Sequence, residues 1–185
     1  MSAIDIQRMR STGTETNPVE GTVIWNPVKS LWYSSHLLIG LAGLLFFFDW
    51  ASLFLCGALT VVTLCCGHTV GLHRLLIHRS FHSPLWLERF LIYLGTLVGM
   101  GGPFSMIYLH DIRDWSQRHE RCHAFFIHSS GILRDWWWNL HCGIRLAHPP
   151  KFTIERERLE DPFLRFLQKT WMWQQIPVAL LLYVI

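Results

Sequence analysis

Histidine is the residue type through which this sequence could do chemistry. Among its 11 histidines, His68, His73 and His78 recur every five residues, and His119 and His123 stand four apart. Imidazole is a good ligand for iron, copper and zinc. A four-residue spacing places two side chains on one face of a helix, as two ligands of one metal centre require. Five residues turn an α-helix by about 500°, roughly 140° off the same face. That spacing suits ligands on different sides of a helix end, or ligands to two neighbouring ions. Asp111, Asp114 and Glu120 are placed to orient ligand imidazoles through the second ring nitrogen. The same stretch also reads more plainly, as a solvated helix laced with salt bridges among Arg113, Asp114, Arg118, Glu120 and Arg121. For His68, His82, His110, His128 and His141, spacing alone assigns no role.

The string His119-Glu120-Arg121-Cys122-His123 also satisfies the His-Glu-x-x-His pattern of zinc hydrolases. There the two histidines would hold zinc and Glu120 would act as general base. That alternative leaves His73 and His78 unexplained, and so short a window arises readily by chance in a His-rich chain.

The elements that must position these residues are apolar. The chain is 51% hydrophobic and only 16% charged, with a mean hydropathy of +0.26, against about 25% charged in an ordinary soluble domain. Leu31 to Phe48 and Ala51 to Cys66 are apolar runs separated by Asp49-Trp50. Together they exceed the roughly 20 residues of one span, and predict two membrane helices joined by a tight turn. Leu85 to Leu109 is a third apolar stretch, loosened by Gly95, Gly99, Gly101, Gly102 and Pro103, that spans, re-enters or lies in the interface. Thr170 to Ile185 turns apolar again but is short of a full span. The expected fold class is all-α: multi-pass membrane helices with one complete hairpin, and a His-rich helical region on the cytoplasmic face.

Residues 1–30 read as a loose polar tail, and 31–185 as one membrane domain. Arg8, Arg10 and Lys29 precede the first span, and Arg74, Arg79 and the region from Arg113 follow the second, with no Lys or Arg between Leu31 and His73. Positive charge stays inside, so the tail and the His-rich region are both expected in the cytoplasm. The net charge of +3 lacks a basic run and gives no sign of a nucleic-acid partner. The five cysteines form no Cys-x-x-Cys pair, and an odd count argues against a disulfide framework.

The stretch Gly71-Leu72-His73-Arg74-Leu75-Leu76-Ile77-His78-Arg79-Ser80-Phe81, led into by a two-span hairpin, resembles the first histidine box of membrane fatty acyl desaturases. That box has the form His-Arg-x-x-x-His-Arg followed by Ser or Thr and an aromatic residue. The family's second box, His-Arg-x-His-His, falls four residues after a Trp. Counted from Trp115, it lands on His119 and His123, with Glu120 and Cys122 departing from it. A third box, His-x-x-His-His, has no counterpart before Ile185, so the chain is expected to be an incomplete form of such an enzyme. The resemblance implies a non-haem di-iron centre with His73, His78, His119 and His123 among its metal ligands. It implies O2 as co-substrate and a cis double bond inserted into a long acyl chain carried on coenzyme A, carrier protein or lipid. It also implies membrane lipid as surroundings and a separate electron donor protein. Imidazole being the ligand of this family, Cys122 is expected not to bind metal. A non-catalytic remnant of the fold is the remaining reading.

Overall fold

The computed structural model describes residues 8–11 and 16–184. The elements run β1 (Met9–Arg10), β2 (Asn17–Trp25), α1 (Pro27–Phe46), α2 (Trp50–Val61), a π-helix (Val62–Ile77), α3 (Leu85–Thr96) and α4 (Pro103–Gln117). They continue through α5 (Ala124–Ile127), α6 (Ile132–His141), β3 (Cys142–His148), β4 (Lys151–Phe152), α7 (Arg156–Glu160), α8 (Pro162–Thr170), a 3-10 turn and α9 (Gln175–Val184). The protein is mostly helical, as expected, but it is not all-α. Two short antiparallel pairs, β1 with β4 and β2 with β3, are present. The segment read as a loose tail is therefore partly ordered: Trp25 pairs with Cys142 and Val23 with Ile144.

The apolar helices start where the sequence punctuates them. Asn26 caps α1 by accepting from Lys29 N at 3.0 Å, and Pro27 follows at the first helical position. Asp49 caps α2, accepting from Ala51 N at 2.8 Å and Ser52 N at 3.1 Å. Helix α2 runs without a break into the π-helix. Among the described residues this Trp50–Ile77 run is the one helix long and apolar enough to cross a membrane, and only 6% of its most apolar 18-residue window is buried. The third apolar stretch is divided: α3 ends at Thr96 and α4 begins at Pro103. Gly99 lies between them at φ 76°, in the left-handed region that glycine enters at little cost.

The chain forms two compact units. One comprises Arg8, Phe54–Asp111 and residues 153–184; the other comprises Met9–Leu53 and Ile112–Phe152. In the first, the π-helix packs on α3 through glycine. A Cβ at Gly67 would overlap Gly95 N and Leu94 C, and one at Gly71 would overlap Leu91 O. Leu72, Leu76, Ile92 and Ile107 are fully buried there, as are Leu164 and Leu167 of α8. Gln168 of α8 anchors α4. Its Oε1 accepts from Phe104 N at 2.9 Å and Ser105 N at 3.2 Å, two of the amide groups a helix start leaves orphaned. In the second unit, Met9, Ile112, Trp115, Phe125, Phe126 and Leu146 form the core.

Candidate metal centre

His73 sits near the end of the π-helix and His78 is its C-cap, and π winding decides how they meet. In this winding each amide bonds the carbonyl five residues back. His78 N donates to His73 O at 3.0 Å in this way. Residues five apart are therefore about one turn apart and on one face. The α-helical expectation of roughly 140° between them does not hold here. The two Nε2 atoms lie 3.1 Å apart.

A third imidazole joins them from α4. His110 Nε2 lies 3.3 Å from His78 Nε2, and the nitrogens of all three rings fall within 4.8 Å of one another. Two nitrogens each about 2.1 Å from one ion and about 90–110° apart are themselves roughly 3.0–3.4 Å apart. The His73–His78 and His78–His110 separations each match two ligands of one cation. Asp111 lies directly behind the His110 ring, with Oδ1 3.5 Å from His110 Nδ1, the side from which a carboxylate commonly orients a ligand histidine.

The other two residues expected from sequence, His119 and His123, belong to the second unit. They do not share a helix face, because α4 ends at Gln117 and residues 118–121 are turn and bend, with 122 and 123 irregular. His119 Nδ1 donates to Trp115 O at 2.8 Å, which leaves Nε2 as its available nitrogen. His123 caps α5: its Nδ1 accepts from Phe125 N at 3.1 Å. Burial lowers the His123 pKa and so favours the neutral ring that a cap and a ligand both need. Cys122 packs against the core of this unit, and burial pushes its thiol pKa up, away from the thiolate that binds metal. The zinc-hydrolase pattern relied on the same helical spacing of His119 and His123, and that spacing is absent.

Of the remaining histidines, His128 and His141 have structural partners. His141 Nδ1 lies 3.0 Å from Ser30 Oγ, and its ring stacks on Trp137. His128, at φ 51°, bonds the side chain of Asn139. His82 lines a cavity with Arg79 and Arg89.

Counting from Trp115 passed over His110. If the five-residue box form is started at His110 instead, it reads His110-Asp111-Ile112-Arg113-Asp114. Only its first position is then histidine, so composition gives no cue. The usable signal was the carboxylate directly beside a histidine.

Comparison with known proteins places the sequence in a class. The chain is 35% identical over 161 residues to the sn-1 stearoyl-lipid 9-desaturase of Anabaena variabilis, covering 82% of this chain and 57% of that protein. It is 32% identical over 160 residues to the sn-1 stearoyl-lipid 9-desaturase of Synechocystis, covering 81% and 46%. It is 27% identical over 144 residues to the acyl-CoA C20 Delta5-desaturase of Anemone leveillei, covering 74% and 43%. No family model and no solved structure matches it. The chain belongs to the fatty acid desaturase family. It spans about half the length of the curated relatives it matches.

Proposed function

We propose that the chain supplies the histidine-bearing, membrane-embedded part of a fatty acyl desaturase with a non-haem di-iron centre. The observation that carries this reading is the convergence of His73, His78 and His110, with Nε2 separations of 3.1 and 3.3 Å, at the end of an apolar helix. These three would hold one ion. His119 and His123, each with Nδ1 engaged, would offer Nε2 as further ligands. Bound iron would supply the O2-dependent oxidation that removes two hydrogens from an unactivated acyl chain. The protein's own residues would orient the ligands: Asp111 lies behind the His110 ring, and the apolar helices would exclude water from the acyl chain. The substrate would be a long acyl chain on lipid, coenzyme A or carrier protein, with electrons from a separate donor protein.

The chain would be multi-pass, with α1 and Trp50–Ile77 as a hairpin and the histidines on the cytoplasmic face. The absence of Lys and Arg between Leu31 and His73 supports that orientation. Compartment-sensitive reporters at the N-terminus and after Gln168 should read the same side; opposite readings would exclude the hairpin. The metal reading is tested by iron content of the wild type beside His73→Ala, His78→Ala and His110→Ala. Iron in the wild type and its loss in all three is expected, whereas bound zinc without iron would refute the desaturase centre. Desaturation itself is read in the lipids of cells expressing the chain together with the rest of a desaturase.

A further inference from the structure

The trihistidine cluster is assembled from two elements, and one buried cation joins them. Arg8 is only 3% exposed. Its Nη1 and Nη2 both donate to Ile77 O, at 3.2 and 3.1 Å, and Nη1 also donates to Asp111 Oδ2 at 3.2 Å. Nε donates to both carboxylate oxygens of Glu155 at 3.1 Å. Ile77 directly precedes His78, and Asp111 directly follows His110. His73 and His78 share one helix and hold each other's register, whereas His110 arrives on α4. The Arg8 guanidinium bonds the backbone beside one ligand and the side chain beside the other.

We infer that Arg8 is a positioning residue for the metal centre, setting His110 against His78 through Ile77 O and Asp111. The inference rests on the metal reading above. The carboxylate of Asp111 is shared: Oδ2 accepts from Arg8, and Oδ1 lies 3.5 Å from His110 Nδ1. Arg8 therefore fixes the carboxylate that lies directly behind the His110 ring. A planar fork is needed for this. An ammonium at the same place can neutralise charge but cannot address Ile77 O, Asp111 and Glu155 from fixed directions. The cation also sits at the C-terminal end of the π-helix, where it meets the negative end of the helix dipole.

The test uses the full chain in lipid nanodiscs, with Co2+ as probe because its visible absorption reports ligand number and geometry. Wild type should bind Co2+ with bands that vanish in His110→Ala. Arg8→Met and Arg8→Lys should each weaken Co2+ binding by about 10–100-fold, the usual effect of losing an outer-shell partner, and shift the bands. Leu167→Ala, a core substitution away from the clamp, controls for general destabilisation. It should lower thermal stability at least as much as Arg8→Lys yet leave the Co2+ bands in place. If Arg8→Met fails to fold, Arg8→Lys alone carries the comparison. Wild-type affinity and spectrum in Arg8→Lys, or equal loss in Leu167→Ala, would overturn the positioning role while leaving the metal site intact. No Co2+ binding by the wild type would overturn the metal reading and this inference with it.

Discussion

His73 and His78 stand five residues apart in the chain, yet their Nε2 atoms are 3.1 Å apart, because the helix that carries them is π-wound. An α-wound helix would instead bring residues 73 and 77 together. Moving the second imidazole by one place, with Ile77→His and His78→Ile together, keeps composition but breaks this register. It should weaken metal binding more than tenfold, since losing even an outer-shell partner costs that much. Metal titration of the double variant decides the matter, and undiminished affinity would mean that the helix is not π-wound around the bound ion.

Close packing of the same helix on α3 gives a prediction whose sign separates two effects. Alanine for glycine in a helix interior is ordinarily worth about 1 kcal/mol in its favour. At Gly71 the added Cβ would overlap the carbonyl of Leu91. Backbone cannot rotate away as a side chain can, so Gly71→Ala should destabilise by about 1–3 kcal/mol, as overpacking does. Thermal unfolding in detergent measures it. A rise in stability would show that the π-helix and α3 are not in glycine-mediated contact.

Glu155 supplies the pH dependence. Burial pushes its pKa up, but the bonds from Arg8, with the nearby charges of Arg8 and Arg79, pull it further down, so the net shift is below the usual 4.5. A depressed carboxylate contributes stability that is present above its unfolded pKa and is lost as pH falls through the folded one. Wild type should therefore lose thermal stability as pH drops below about 4.5, and Glu155→Gln should show a shallower acid limb. Parallel acid limbs would contradict the pairing with Arg8.

Much of this was legible in the sequence, and the failures have physical causes. Apolar run length and the break at Asp49-Trp50 placed α1 and α2, while the caps at Asn26 and Asp49 emerged only in the structure. The first histidine box was visible because its residues act within one helix. Winding was not visible, and it reversed the expected relation between His73 and His78. The strand at Asn17–Trp25 was missed because its partner, Cys142–His148, lies more than a hundred residues on. His110 was missed for the same reason: its neighbours His73 and His78 come from another element. Arg8 read as a tail cation from sequence, and only the fold shows it buried among Ile77, Asp111 and Glu155.

Gln168 is expected to matter for the element that brings His110. Its side-chain oxygen accepts from Phe104 N and Ser105 N, and Nε2 donates to Ser105 Oγ at 2.9 Å. Gln168→Leu leaves both amides orphaned and should cost about 1–2 kcal/mol, the scale of a lost helix cap. Gln168→Glu keeps the acceptor and adds a favourable charge at a helix start, so it should be nearly neutral. Hydrogen exchange at the Phe104 and Ser105 amides distinguishes the two: fast in the first variant, protected in the second. Protection in both would mean that the amides are held by something else.

His123 carries two roles that one substitution can separate. Its Nδ1 caps α5 by accepting from Phe125 N, and its Nε2 is the nitrogen proposed for metal. Asparagine is among the best capping residues and its side-chain oxygen can take the place of Nδ1, but it offers no imidazole. His123→Asn should thus keep stability near wild type while lowering iron content. His123→Ala should lose iron and also roughly 0.5–2 kcal/mol of stability with the cap. Cys122→Ser serves as the neighbour control. The half-buried thiol packs on the core and is held away from the thiolate form, so iron should be unchanged. Full iron in His123→Asn would reduce His123 to a cap and confine the proposed ligands to the remaining histidines. Loss of iron in Cys122→Ser, with iron retained in His123→Asn, would give the ligand position to sulfur instead.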